Sequence, residues 1–310
     1  MPIDPAVDVE AVLARLDTLR DEPREVVQLT GGLSNHSYRV TTPTLTAVLR
    51  IPAGDAGMLG VDREAEYRNT LAAHAAGIGP AVLDRLADTG VLVLGWLDGR
   101  TLAAADLHSP STLDRVVTAC RTLHRGSRFA GDVDLPARQR RYRAVCAEHG
   151  FAVPPGYDAH QPTVDRVAAA LTAGTEGTVP CHNDLVPANM LDTGTRVSFV
   201  DYEYAANNDP CFELGNLADA AGLAPEEVVD RYYGKPRPSR RARTELYGVL
   251  AAHTWALWAA IRGSTEDTED TGDTGDTDLA DWGADQYARS ASALTSARLP
   301  GLLAEATLRD

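Results

Sequence analysis

Hydrophobic positions divide the chain into two regimes. Val9, Val12, Leu13, Leu16 and Leu19 recur at helical spacing behind an Asp4-Pro5 start, which predicts a first helix. Short apolar runs follow at Val26 to Leu29, around Tyr38 to Val40 and at Ala47 to Ile51. These predict strands, with Gly31-Gly32 looping between the first two and Thr42-Pro43 turning between the last two. Asp62 is a helix-starting residue, and the helix it opens is expected to run to about Ala76, where Gly77 and Pro80 stop it. Val91-Leu92-Val93-Leu94 reads as a buried strand. Beyond Gly95 the period changes: Leu113, Val116, Val117, Cys120 and Leu123 mark one face of an amphipathic helix, and helical patterns dominate from there. The exception is a strand–turn–strand from about Met190 to Val200, turning at Asp192-Thr193-Gly194. The expected organisation is α+β: a small β-rich half over residues 1–97, a larger helical half over 98–310, and a junction near Gly95 to Gly99.

Composition narrows the possible partners. The 310 residues leave room for about two packed units of roughly 150 residues, and 44% apolar with 24% charged residues is a globular balance. Asp+Glu number 44 against 29 Lys+Arg, a net charge of −15 that disfavours nucleic acid and anionic membrane as general partners. Residues 264–281 hold eight of these carboxylates and no base, in Asp-Thr-Gly repeats that cannot bury a core; they are expected to form a solvated loop. The N-terminus has no basic segment followed by an apolar one. Val249 to Ile261, interrupted by His253 and Thr254, is shorter than the roughly 20 apolar residues that span a bilayer. Cys120, Cys146, Cys181 and Cys211 form no C-x-x-C pair, which argues against a zinc cluster or disulfide framework. A cytoplasmic protein without stable membrane association is expected; composition leaves oligomeric state open.

The chemistry concentrates in Cys181-His182-Asn183-Asp184-Leu185-Val186-Pro187-Ala188-Asn189, followed by the hairpin and then Asp201-Tyr202-Glu203. Transfer of a γ-phosphoryl group needs a carboxylate to orient and deprotonate a hydroxyl, plus oxygen ligands for Mg²⁺. Asp184 fits the first role. Asn189, Asp201 and Glu203 fit the second, because Mg²⁺ prefers hard oxygen donors. His182 is expected to brace the turn through its ring nitrogens. Upstream, glycines in Thr30-Gly31-Gly32-Leu33-Ser34-Asn35 allow backbone N–H groups to approach phosphate oxygens. Arg50 ends an apolar strand where a cation can reach phosphates, and Glu66, sixteen residues on, sits on the next helix where it can pair with that cation. His124 lies toward the apolar face of its helix and reads as a hydrogen-bonded core residue.

That ordered set resembles the choline/ethanolamine kinases, a branch of the aminoglycoside-phosphotransferase-like group with a two-lobed, protein-kinase-like fold. The resemblance runs from about Leu29 to Leu294. It rests on Gly31-Gly32-Leu33-Ser34-Asn35, Val48-Leu49-Arg50-Ile51, Asp62-Arg63-Glu64-Ala65-Glu66, Gly77-Ile78-Gly79-Pro80, His182-Asn183-Asp184, Asp201-Tyr202-Glu203-Tyr204 and Phe212-Glu213-Leu214-Gly215-Asn216. It implies transfer of the ATP γ-phosphate to a small-molecule hydroxyl with Mg²⁺, the adenine being held at Gly95, Trp96 and Leu97. It also implies a phosphate site at Gly31, Gly32, Ser34, Asn35, Arg50 and Glu66.

The C-terminal part bears on the acceptor. Trp255 and Trp258 stand at i and i+3 and so share a helix face. In choline kinases a similar Trp pair, with a later Tyr for which Tyr287 is the counterpart, forms an aromatic box for an ammonium group. The acidic-aromatic pair that those enzymes carry after Gly-Asn is here Asp219-Ala220-Ala221, so Asp219 stands for the acid and the aromatic partner is absent. The expected partner is a small cationic alcohol: choline, ethanolamine or a similar amino alcohol. The alternatives are thiamine or an aminoglycoside on the same fold, or an inactive nucleotide-binding module.

Overall fold

The computed structural model describes residues 8–19, 22–29, 35–52, 56–265 and 279–310. The predicted glycine loop at Gly31, Gly32, Leu33 and Ser34, and residues 266–278 of the acidic segment, lie outside these residues. The first helix is shorter than its spacing predicts. It covers Val9–Leu13 (α1), capped by the Asp8 carboxylate on the Ala11 N–H at 3.1 Å. Leu16 and Leu19 are carried instead by tight turns, Leu16 N–H to Leu13 O and Leu19 N–H to Leu16 O, both at 3.1 Å. A repeat of three keeps these leucines on one side as well as a helix would, so all are buried.

They lie against an antiparallel sheet of five strands, β1 (Glu25–Leu29), β2 (Asn35–Thr41), β3 (Thr46–Pro52), β4 (Val82–Leu86) and β5 (Val91–Gly95), in the order β1-β2-β3-β5-β4. Side chains alternate across a strand. Ala47, Leu49 and Ile51 of β3, with Val91 and Val93 of β5, therefore pack against Val12, Leu13, Leu16 and Leu19. The same alternation sends Arg50 to the other face, opposite Leu92 and Ser37 in the register. Two helices follow β3: α2 (Ala56–Leu59) and α3 (Arg63–Ala75). Asp62 caps α3, its carboxylate accepting from the Glu64 and Ala65 N–H groups at 3.0 Å.

The remainder is helical. It contains β6 (Arg100–Thr101), α4 (Pro110–His124), α5 (Leu135–His149), α6 (Gln161–Ala173), β7 (Val179–Cys181), β8 (Met190–Asp192), β9 (Val197–Phe199) and β10 (Ala206–Asn208). After these come α7 (Pro210–Ala221), α8 (Pro225–Tyr233), α9 (Pro238–Thr265), α10 (Leu279–Leu294) and α11 (Leu299–Ala306). The predicted hairpin is β8–β9, and its turn is fixed by the Asp192 carboxylate on the Gly194 N–H at 2.8 Å. The 28-residue α9 is the axis of this part, about 42 Å long at 1.5 Å per residue. One face packs with α6 and α11, and another with α2, α5 and α10. Asn69 of α3 ties the two parts together, donating to Ala205 O and accepting from the Ala130 N–H, both at 2.7 Å. Among the described residues no helix is long and apolar enough to cross a membrane.

Candidate active site

The predicted catalytic turn leaves β7 in a conformation that few residues adopt. Asn183 has φ 65° and Asp201 φ 69°, the two non-glycine residues at positive φ among the described residues, and both lie at this site. Asn and Asp tolerate that region because their short polar side chains bond locally. Asn183 does so fully. Its amide donates to Tyr204 O at 3.0 Å and Ala206 O at 3.2 Å, and accepts from Asn208 at 3.0 Å. Its backbone N–H meets Glu213 Oε2 at 2.9 Å, and its carbonyl takes the Asn216 amide at 3.1 Å.

Glu213 is wholly buried and shares its other oxygen with His124 Nε2 at 2.9 Å; His124 Nδ1 lies 2.7 Å from the Tyr232 hydroxyl. Cys181 completes a cluster with these two, the candidate ligand atoms lying within 4.8 Å of one another. All three are already bonded, however: Cys181 Sγ lies 3.6 Å from Asn208 O. We read the cluster as the brace under the turn. His124 is thus the bonded core residue expected, and Glu213, which the sequence reading left without a role, is its partner.

His182 donates from Nε2 to Val200 O at 2.8 Å, with its ring against Tyr202 and Phe199. The turn is thereby pinned to the segment that carries Asp201. A 3₁₀ turn at Pro187–Asn189 folds Asn189 back, so that its amide nitrogen bonds the Asp184 carbonyl at 3.0 Å and Oδ2 at 3.1 Å. That leaves the Asn189 amide oxygen as the end able to meet a cation. Burial pushes the Asp184 carboxyl up to about 6, the pull of His182 being opposed by the Asp201 and Glu203 carboxylates. A carboxylate so raised is a stronger base than one in water.

Across from the turn, Arg50 bonds Glu66 of α3 through Nη1, while Nη2 reaches Asp201 Oδ1 at 2.5 Å and Glu203 Oε2 at 3.2 Å. The expected pairing of strand cation and helix acid is therefore present and extends to both acids of the Asp201-Tyr202-Glu203 segment. A second guanidinium joins it. Arg63, at the first position of α3, bonds Glu66 at 2.8 Å and Glu203 at 3.2 Å from one nitrogen. Burial and the neighbouring Arg50 lower the Arg63 pKa, against the pull of Glu203. Asn35, expected at phosphate, donates to the same Glu203 oxygen at 2.9 Å. Glu203, expected on the metal, thus receives three donors from the β-rich part on one oxygen, whereas Asp201 is bonded only to Arg50 among the described residues. Asp201 and the Asn189 oxygen are hard donors on adjacent segments, a set that suits Mg²⁺.

At the expected adenine position, the Gly95 N–H bonds Ala81 O at 2.8 Å, and the Trp96 N–H bonds Thr46 O at 3.3 Å. The Trp96 ring is 39% exposed because it stands past the end of β5, and the guanidinium of Arg39 lies 5.9 Å from it. Leu97 is half-buried beside it.

On the acceptor side Trp258 is buried and donates its indole N–H to the Tyr204 hydroxyl at 3.0 Å, while Trp255 meets Tyr204 edge-on at 6.4 Å. Tyr204 directly follows Glu203, so the indoles lie beside the catalytic segment. Trp282 of α10, not foreseen from the sequence, packs edge-on to Trp258 at 5.8 Å. Tyr287 belongs to the same apolar cluster, but its ring neighbours are Tyr157, His160 and His253, and its hydroxyl donates to Pro155 O at 2.9 Å. Asp219 is exposed and ion-paired with Arg289 of α10, so the acid expected in the box is spent elsewhere. Arg138 of α5 faces Tyr204 with its guanidinium 5.6 Å from the ring centroid. No spacing signal could have found Tyr204, Trp282, Arg63 or Arg138 as site residues, because each is brought in by a different element.

Comparison with known proteins identifies the family and fold. The model of the phosphotransferase enzyme family matches residues 25–264. Protein LicA of Haemophilus influenzae is 28% identical over 250 residues, 75% of this chain and 72% of that protein. The probable choline kinase 1 of Arabidopsis thaliana is 28% identical over 234 residues, 67% of this chain and 65% of that one. Among solved structures, a choline/ethanolamine kinase family protein from Mesorhizobium loti superposes with a TM-score of 0.80 at 28% identity, covering 97% of this chain and 98% of its own.

Proposed function

This chain belongs to the phosphotransferase enzyme family, as a choline/ethanolamine kinase-like member, and we propose that the hydroxyl it phosphorylates is that of a small amino alcohol. It is an ATP-dependent phosphotransferase with an alcohol group as acceptor, on a two-lobed, protein-kinase-like fold.

In this reading Asp184 accepts the proton of the attacking hydroxyl, and the Asn189 amide holds its carboxylate in line. Asn189 and Asp201 would hold Mg²⁺, which supplies charge neutralisation at the phosphates when bound. Arg50 is kept in place by Glu66 and Glu203 so that its guanidinium can turn to the phosphates. Gly31, Gly32 and Ser34 would contribute backbone N–H groups to the same phosphates, and Gly95 to Leu97 would border the adenine. Trp255 and Trp258, with Tyr204, would offer ring faces to an ammonium group. A half-buried carboxylate held by the Asn189 amide, near a metal-suited Asp/Asn pair and a group of aromatic side chains, is the observation that supports the reading.

The test is an ADP-release screen over alcohols with and without an amine. Amines should dominate among the substrates, and Asp184→Ala should abolish turnover of each. Equal use of neutral alcohols, or full activity in the Asp184 variant, would refute the proposal.

A further inference from the structure

We propose that Arg138 is an acceptor-binding residue and that the alcohol phosphorylated here carries a carboxylate as well as an amine. The proposal deepens the amino-alcohol reading and rests on it. Arg138 occupies the first turn of α5, and the Tyr204 ring it faces is the one that meets Trp255 and accepts the Trp258 indole N–H. The Tyr204 carbonyl takes the side chain of Asn183, next to Asp184, so the guanidinium stands on the acceptor side of the catalytic turn.

Several guanidiniums elsewhere in this acid-rich chain meet carboxylates, while Arg121 and Arg141 meet backbone carbonyls. Arg50, Arg63, Arg115, Arg143, Arg243 and Arg289 each meet a carboxylate. Arg138 meets none among the described residues, and its Nη1 is buried without a hydrogen-bond partner there. A donor in that condition gains most from a charged acceptor, because competing water is excluded.

The second observation concerns the opposite charge. Asp219, the acid that would complement a purely cationic acceptor, is tied to Arg289 on the surface. The aromatic region therefore carries a resident cation that Asp219 does not offset. A quaternary ammonium alcohol would meet Arg138 with like charge. A hydroxy amino acid resolves both terms: its carboxylate pairs with the planar guanidinium fork, and its ammonium takes the indole faces.

Ethanolamine and L-serine form the cleanest pair of probes, since serine is ethanolamine with one carboxylate added. ADP release by the full chain with Mg-ATP should give serine a kcat/KM at least tenfold above ethanolamine or choline. Arg138→Met should lower the serine value about 10- to 100-fold, mainly through KM, the range expected for one charged hydrogen bond. It should not lower the ethanolamine value, because it removes only a like charge, and Arg138→Lys should keep more of the serine activity than Arg138→Met. Should the methionine variant not fold, the wild-type ratio and the lysine variant still decide.

Turnover of ethanolamine or choline in preference to serine overturns the assignment of Arg138 while the amino-alcohol reading stands. An equal loss on serine and ethanolamine in Arg138→Met does the same. Arg138-dependent use of glycolate, which has the carboxylate but no amine, overturns the amino-alcohol reading and keeps the anion site. No turnover of any probe overturns both.

Discussion

The two sides of the catalytic turn are built from opposite materials. On the nucleotide side, Arg50, Arg63, Glu66, Glu203 and Asn35 form a closed set of charges and amides with Asp201 at its open edge. On the acceptor side, Tyr204, Trp255, Trp258 and Trp282 supply rings, with one guanidinium beside them. The charged side joins a strand and helix of the β-rich part to the segment after β9, so removing one of its ions changes the charge balance of a buried set. The aromatic side joins α9 and α10 to that same segment through ring contacts and one indole-to-hydroxyl hydrogen bond. In the proposed reading, phosphate handling would rest on the charged set and acceptor choice on the rings.

The sharpest way to separate the two sides is through the residue between them. Asp184→Ala should lower kcat by roughly 10²- to 10⁴-fold, as for loss of a general base, with nucleotide affinity and melting temperature nearly unchanged. A variant that keeps kcat would place the base elsewhere.

Breaking the charged side comes next. Arg50→Met leaves Glu66 and Glu203 short of a buried cation and should cost about 3–5 kcal/mol of stability in chemical denaturation. A loss under 1 kcal/mol would mean that Arg63 alone suffices for both acids.

The aromatic side can be probed by pH, through His253. Burial, assisted by His160, depresses this imidazole to about 4. Above its unfolded value near 6.5 it is neutral in both states and its contribution to stability is intact. As pH falls from 6.5 towards 4 the unfolded chain takes up the proton first, so stability declines, by about 3 kcal/mol over that interval. Denaturant midpoints measured across this range should flatten in His253→Phe, and an unchanged slope would show that another group carries it.

Smaller effects mark the limits of the comparison. Trp255→Ala should raise the acceptor KM by a factor matching about 1–2 kcal/mol and leave the ATP KM alone. Asp62→Ala removes the cap of α3, which presents Arg63 and Glu66, and should cost about 1 kcal/mol in stability. If it also raises the ATP KM, the cap positions the charged side as well as holding the helix.

Much of this was legible before any fold was known, and unevenly so. The strand ending in Arg50, the capped helix carrying Glu66 and the run from His182 to Asn189 are local patterns whose spacing follows from strand and helix geometry, and the structure joins Arg50 to Glu66. Asp219 was read by its distance from Gly215-Asn216, but α10, seventy residues on, supplies the arginine that claims it. Glu213 stood in a stretch that carried the resemblance without a role of its own, and folding buries it against the Asn183 N–H.

The sequence by itself determined the order of chemical parts, the change from strand to helix and the acidic character, because these depend on residue type and on periods of two and 3.6. Only the tertiary structure decided which acid meets which cation, that Tyr204 and Trp282 join the tryptophan pair, and that an arginine stands among them. Such pairings are set by packing between elements far apart in the chain, where burial rather than spacing selects the neighbours.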